Sequence, residues 1–256
     1  MIKTRDLSFL TKTKMTLLEN INLEISEGTI AGIVGRNGAG KSTLISLLAG
    51  IQKCSTGEVF YDDEDIMTMS SLSLARRRSL LSQQSNAAFR LSIVEILLMG
   101  RYPFGKISEA DYEYADNLIH ELGLSPFIKT PYLVLSGGEK QKVHFARSIM
   151  QLYPLEKKSR KVLFLDEPLT ALDLSVQQQI LRFLENLVQQ FDLTVVLVLH
   201  DLNWVSKYCK NIFVLEKGRL CLSGSSREVF TSENLKRYFH VDANIADINN
   251  RITISY

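Results

Sequence analysis

Short apolar runs bounded by turns or charges recur along the chain: "TIAGIV" from Thr29, "KVLFLDEP" from Lys161, "LTVVLVLHD" from Leu193 and "NIFVLEKG" from Asn211. They are rich in Val, Ile and Leu and lack the alternation of a half-exposed strand, so they predict strands buried on both faces. Between them lie helical patterns. In "SVQQQILRFLENLVQQF" Val176, Ile180, Phe183, Leu184 and Leu187 share one face, with Ser175 as the expected cap. Strand alternating with helix predicts an α/β fold with a mainly parallel sheet. Near the N-terminus "LLENINLEISEG" and "GEVFY" predict instead a small antiparallel sheet.

From about Asn86 to Tyr153 strand patterns give way to helical ones. This predicts a helical lobe, 86–153, inserted between core segments 1–85 and 154–256. "SIVE" opens its first helix with a capping box, Ser92 and Glu95, and Gly100 with Pro103 is expected to stop it. A second helix is expected from near Ser108 to Gly123. The first, "SIVEILLMG", is apolar on nearly every side, which suits burial or a partner.

Composition narrows the class. At 256 residues and 45% hydrophobic, the chain can bury a large core. A net charge of +2 gives no field that would draw nucleic acid, and "RRR" at 76–78 and "KKSRK" at 157–161 fit solvated surface. Cys54, Cys209 and Cys221 follow no metal-ligand spacing, and their odd number argues against a disulfide framework, so a reducing compartment is expected. "MIKTRDLSFL" lacks the apolar core of a signal peptide, and "LTVVLVL" is too short to span a bilayer.

The candidate chemistry begins at "GRNGAGKST", residues 35–43. Gly35, Gly38 and Gly40 let backbone N–H groups crowd around phosphate oxygens, Lys41 supplies a cation, and Ser42 offers a hydroxyl to Mg²⁺. Asn37 and Thr43 belong to the same stretch. The preceding strand and following helix aim a helix N-terminus at the anion. Downstream stands "LSGGEKQKVHFAR" from Leu135. There Ser136 and Glu139 form a capping box, and Gly137 and Gly138 leave the first turn bare. A bare first turn exposes N–H groups to a second anion contact. One chain rarely brings two helix N-termini onto one triphosphate, so two chains facing each other are expected, each offering "LSGGE" to the other's "GRNGAGKST".

With "VLFLDEP" and "LVLHDLN" following in order, these stretches resemble the ATP-binding subunit of ABC transporters over nearly the entire chain. The resemblance implies a P-loop NTPase core with an N-terminal antiparallel β subdomain and an inserted α-helical subdomain. It implies ATP and Mg²⁺ as ligands. It makes Asp166 the carboxylate that holds Mg²⁺, Glu167 the group that polarises the attacking water, and His200 the residue that contacts the γ-phosphate. Gln83 matches the glutamine that reaches Mg²⁺ and joins core to lobe, with Gln84 as the competing register. Asp173 matches a loop that communicates across the dimer. Phe9 stands where an aromatic ring stacks on adenine, although a core phenylalanine also fits. Leu169 and Lys142 depart from the usual Thr and Arg without removing a phosphate, magnesium or water contact.

The implied partners are a second copy in an ATP sandwich, an integral-membrane permease dimer and, indirectly, a substrate-binding protein. No nucleic acid is implied, and the implied place is the cytoplasmic face of the inner membrane. A soluble scaffold of iron-sulfur cluster assembly and an inactive nucleotide-binding module are the competing classes. "LARRRSLLSQ" and "VEILLMGRYPF" resemble ATPases that import iron chelates, haem or vitamin B12. The basic loop after "QLYP" resembles the haem-import members, leaving siderophore iron and vitamin B12 as alternatives. The short stretch after "SREVFTSENLKRYF" is expected to carry no regulatory domain, and "RITISY" is expected to add an edge strand.

Overall fold

The computed structural model describes residues 1–82, 91–157, 160–248 and 251–256. It divides into two compact units, residues 1–69 with 194–256, and residues 70–193. The lobe expected over 86–153 lies within the second.

In the first unit, β1 (Ile2–Leu10) pairs antiparallel with β2 (Thr16–Ile21), β3 (Glu24–Ile25) and β5 (Thr56–Tyr61), and β6 (Glu64–Asp65) extends the sheet through β5. Beside it β4 (Ile30–Val34) runs parallel to β9 (Thr194–Val198) and β10 (Asn211–Glu216), while β11 (Arg219–Gly224) returns antiparallel on β10. Every residue of β4 and β9 is buried, as expected of strands covered on both faces. α1 (Lys41–Leu48) follows the loop after β4 and buries Leu44, Ile45, Leu47 and Leu48. α7 (Leu202–Tyr208) and the single turn α8 (Ser226–Val229) belong to the same unit. "RITISY" does not join an edge of the main sheet. β13 (Arg251–Ser255) pairs antiparallel with β12 (Asn244–Ile248) in a separate hairpin, because those two segments satisfy each other's backbone groups.

In the second unit α2 (Ser71–Arg77) leads into β7 (Arg78–Leu81), which runs parallel to the fully buried β8 (Val162–Asp166). Between them come α3 (Ile93–Leu98), α4 (Glu109–Glu121) and α5 (Gly137–Met150), and α6 (Leu174–Phe191) follows β8. α3, α4 and α5 each begin with a full capping box, Ser92 with Glu95, Ser108 with Asp111 and Ser136 with Glu139. α3 ends at Leu98, just before Gly100 and Pro103 as expected, and the chain goes on as a 3₁₀ helix over Met99–Phe104. Gly100 serves close packing: a Cβ there would fall 2.7 Å from the Arg147 carbonyl on α5. Contrary to expectation Ser175 does not cap α6, which begins two residues earlier than that cap would set it, with Asp173 at its N-cap. The reason is the left-handed turn at Ala171, held by the Gln177 amide donating to the Leu172 carbonyl at 2.9 Å. Ile93, Ile96, Leu97 and Leu98 are buried, so the apolar character of α3 is largely core.

Candidate functional site

In the first unit β4 delivers the chain to Gly35, where φ is +148° and a Cβ would lie 2.2 Å from the Leu215 carbonyl oxygen of β10, excluding any side chain. Gly40 is the left-handed N-cap of α1 and carries no side-chain cap. The first-turn N–H groups therefore remain available to an anion. Arg36, Asn37 and Gly38 are exposed, and a Cβ on Gly38 would meet no atom within 4 Å. Lys41, nearly buried, folds its ammonium back over the loop, donating to the carbonyls of Gly35 at 2.9 Å and Arg36 at 3.1 Å. Rotation of that flexible stem is all a phosphate needs to claim it. Ser42 is exposed and Thr43 half-buried on the first turn of α1.

His200, exposed just past β9, joins Gly35, Arg36 and Asn37 around a cavity of about 370 Å³. Phe239 and Tyr256 form part of its wall. Phe9 is half-buried on β1 opposite Leu18, whose Cδ2 lies 2.7 Å from a Cβ built on Gly40. Its ring is thus one strand pair from the phosphate loop.

In the second unit Asp166 ends β8 with its carboxylate buried, and Glu167 follows in a left-handed conformation, φ +53°. The turn from there to Asp173 is pinned to α5, whose start carries the "LSGGE" signature. Gln141 on α5 donates to the Pro168 carbonyl at 3.1 Å, and a Cβ on Gly138 would meet the Ala171 carbonyl at 3.2 Å. A Cβ on Gly137 would meet nothing within 4 Å, and Ser136 and Gly137 are exposed, so the first turn of α5 presents bare backbone. The Ser136 hydroxyl accepts from the Glu139 N–H at 3.3 Å, which leaves its own proton for an acceptor. Leu169, where the family has Thr, is buried. Lys142, where it has Arg, caps the end of α4 by donating to the Leu122 carbonyl at 3.1 Å. Burial lowers the pKa of its ammonium, against a smaller upward pull from Glu139.

The structure thus groups Gly35, Asn37 and His200 in one unit, and Asp166, Glu167, Asp173 and the Ser136–Gly138 turn in the other. Gln83 and its competitor Gln84 lie outside the described residues. Sequence reasoning missed Arg36, Phe239 and Tyr256 as cavity walls. Arg36 could have been found as the variable position of the glycine loop, whereas the other two carry no local motif.

The family model described as ABC transporter matches residues 18–170. The chain is 36% identical to a hemin import ATP-binding protein, HmuV, of Shewanella denitrificans, over 89% of each chain. It is 32% identical to that of Bordetella bronchiseptica, over 90% of this chain and 88% of the relative. Among solved structures it is similar to an inward-facing putative metal-chelate type ABC transporter, with TM-score 0.79, 29% identity, and coverage of 99% of this chain and 95% of that one. It is also similar to a dimeric ATP-binding cassette in a post-hydrolysis state with ADP and phosphate, with TM-score 0.77, 26% identity, and coverage of 89% and 99%. The chain belongs to the ABC transporter family, as an ATP-binding and ATP-hydrolysing member.

Proposed function

We propose that this chain powers uptake of haem or a related iron chelate, working as two copies against a separate permease dimer on the cytoplasmic face of the membrane, with a substrate-binding protein delivering cargo. The observation that carries this reading is the 32–36% identity, across about nine-tenths of the chain, to proteins named for hemin import. The metal-chelate type transporter, matched over 99% of the chain, supports the same chemistry of cargo. Among the described residues no helix is long and apolar enough to cross a membrane, and the permease of this reading supplies the cargo path.

In this reading Lys41 and the N–H groups of 35–43 hold the β and γ phosphates of ATP, and Phe9 stacks on adenine. The Ser42 hydroxyl and the Asp166 carboxylate are hard oxygen donors of the kind Mg²⁺ takes, and Gln83 joins them. The ion would offset charge on the transferring phosphoryl group. Glu167 accepts a proton from the attacking water while His200 orients the γ-phosphate side. Ser136, Gly137 and Gly138 serve the other copy's ATP, and Asp173 lies at the seam. The exposed first turn of α5 follows the exposed Val134, at 73%, and Leu174 at the start of α6 is 69% exposed, as apolar surface awaiting a partner would be. The lobe over 86–153 receives the permease.

The test is growth after deletion of the gene, with haem as sole iron source, with ferric siderophores, and under a vitamin B12 requirement. Loss of haem use alone is expected. Normal growth on haem with failure on a siderophore or vitamin B12 would overturn the assignment of cargo, and co-purification with no permease would favour a soluble scaffold.

A further inference from the structure

The C-terminal hairpin is tied to the helix that follows His200. Asp201 caps α7, its carboxylate accepting from the N–H groups of Asn203 at 2.8 Å and Trp204 at 3.2 Å. In the same first turn, α7 grips β13. The Asn203 amide donates to the Ile254 carbonyl at 3.1 Å and accepts from the Ile254 N–H at 2.8 Å, so a single side chain satisfies both backbone groups of one strand residue. Ser206, three residues further and on the same helix face, donates to the Ile252 carbonyl at 2.7 Å. Ile252 and Ile254 are two apart and direct these groups to the strand edge away from β12. That edge would otherwise need water or another chain. Ile254 itself is 4% exposed and anchors the hairpin.

The opposite side of α7 has no slack. A Cβ on Gly32, in the strand that feeds the phosphate loop, would fall 2.9 Å from Cys209 Sγ and 3.0 Å from Val205 Cγ1. The helix is therefore held between β4 and the hairpin. Two residues beyond Ile254, Tyr256 reaches the wall of the cavity that contains His200 and Asn37. A hairpin that merely covered the helix would not need a paired amide at one register, nor arrive at that cavity.

We infer that Asn203, by locking Ile254, is a positioning residue for His200, and that the hairpin, by fixing α7, sets where the short link between β9 and α7 holds the histidine against the phosphate loop. This rests on the role of His200 proposed above. Hydrolysis then depends on the clamp, whereas nucleotide binding by the loop and Lys41 does not.

The test measures ATP turnover, KM, nucleotide affinity and Tm for Asn203→Ala, for Ser206→Ala and for removal of residues 251–256, each with and without His200→Ala. Asn203→Ala is expected to lower kcat about 10-fold, a modest misplacement by the standards of positioned groups, with KM and nucleotide affinity unchanged. In the His200→Ala background the same substitution should cost nothing more, since its effect passes through that histidine. Ser206→Ala, which removes one bond of the clamp, should give a smaller loss of the same kind and covers the case in which the larger lesions fail to fold. Wild-type kcat in Asn203→Ala and Ser206→Ala, while His200→Ala lowers turnover to a small but measurable residue, would overturn the clamp and leave the reading of His200 intact. Equal losses with and without His200 would reduce the hairpin to a structural cover. Full turnover in His200→Ala would remove both.

Discussion

Glu167 holds a left-handed backbone that costs a residue with a side chain about 1–2 kcal/mol, directly after the buried Asp166. Strain of this kind persists where the side chain's direction matters more than local stability. Glu167→Gln keeps the geometry and removes the carboxylate proposed as the base. It is expected to retain ATP affinity while losing turnover by about 10²- to 10⁴-fold, read by single-turnover hydrolysis beside a binding titration. Near wild-type turnover would remove Glu167 from the reaction. Lys41 separates from it cleanly. Its ammonium rests on the Gly35 and Arg36 carbonyls, so Lys41→Ala leaves two loop acceptors to solvent, and it removes the cation proposed to meet the phosphates. The expected result is weaker nucleotide binding by about 10- to 100-fold, the weight of a charge-assisted hydrogen bond. A titration with unchanged affinity would contradict it.

Among the elements, the 3₁₀ segment after α3 is joined to α4 by Arg101 and Asp111, 2.7 Å apart and both at least 93% buried. Arg101 also donates to the Tyr153 carbonyl and lies 4.0 Å over the Phe104 ring. Burial alone would raise the Asp111 carboxyl, but the N–H and hydroxyl of Ser108 and the Arg101 guanidinium together hold it below its ordinary value. A carboxyl depressed by folding stabilises the native state above its unfolded pKa, about 3.9, and loses that contribution as pH falls through its folded pKa. Asp111→Asn is therefore expected to flatten the acid side of the stability curve below about pH 4 and to cost about 3 kcal/mol at neutral pH, because Arg101 is left buried without its counter-ion. Denaturant unfolding from pH 3 to 7 measures both; an unchanged acid slope would dismiss the pair. Elements with a strong local cause were legible in the sequence. The fully buried β4, β8 and β9 and the capping boxes of α3 and α5 stand where pattern and chemistry put them. α2 and α7 are seven residues each, too short to display a period, and β12 is mostly exposed, so it shows no apolar stripe. The loop "GRNGAGKST" and the turn at Ser136 were legible because phosphate chemistry dictates residue types at fixed spacing. Tyr256 and Asn203 were not, because their surroundings are made by tertiary contact between segments fifty residues apart.

For the whole molecule, the two compact units divide the chemistry: the phosphate loop and His200 belong to one, and Asp166, Glu167 and the signature turn to the other. The signature turn also lies against its own Asp166–Asp173 loop through Gly138, with Ser136 and Gly137 facing outward. In the two-copy reading proposed above, these exposed donors would be covered by a second copy, and Val134 before them and Leu174 at the start of α6 are exposed as well. If so, lesions in the two motifs should complement each other across chains. Ser136→Asp keeps an oxygen to cap the Glu139 N–H but sets a negative charge toward the phosphate, and Lys41→Ala disables the loop. Each variant alone should be inactive. A mixed dimer holds one site made from the intact loop of the Ser136→Asp chain and the intact signature of the Lys41→Ala chain. With random pairing of equal amounts, half the dimers are mixed and one of their two sites is whole, so activity should recover to about a quarter of wild type for independent sites in a symmetric dimer. Less recovery would mean that the two sites must fire together. Activity of either variant alone equal to that of the mixture, or wild-type turnover independent of protein concentration with no change of mass on ATP binding, would place the whole site within one chain and end the two-copy reading.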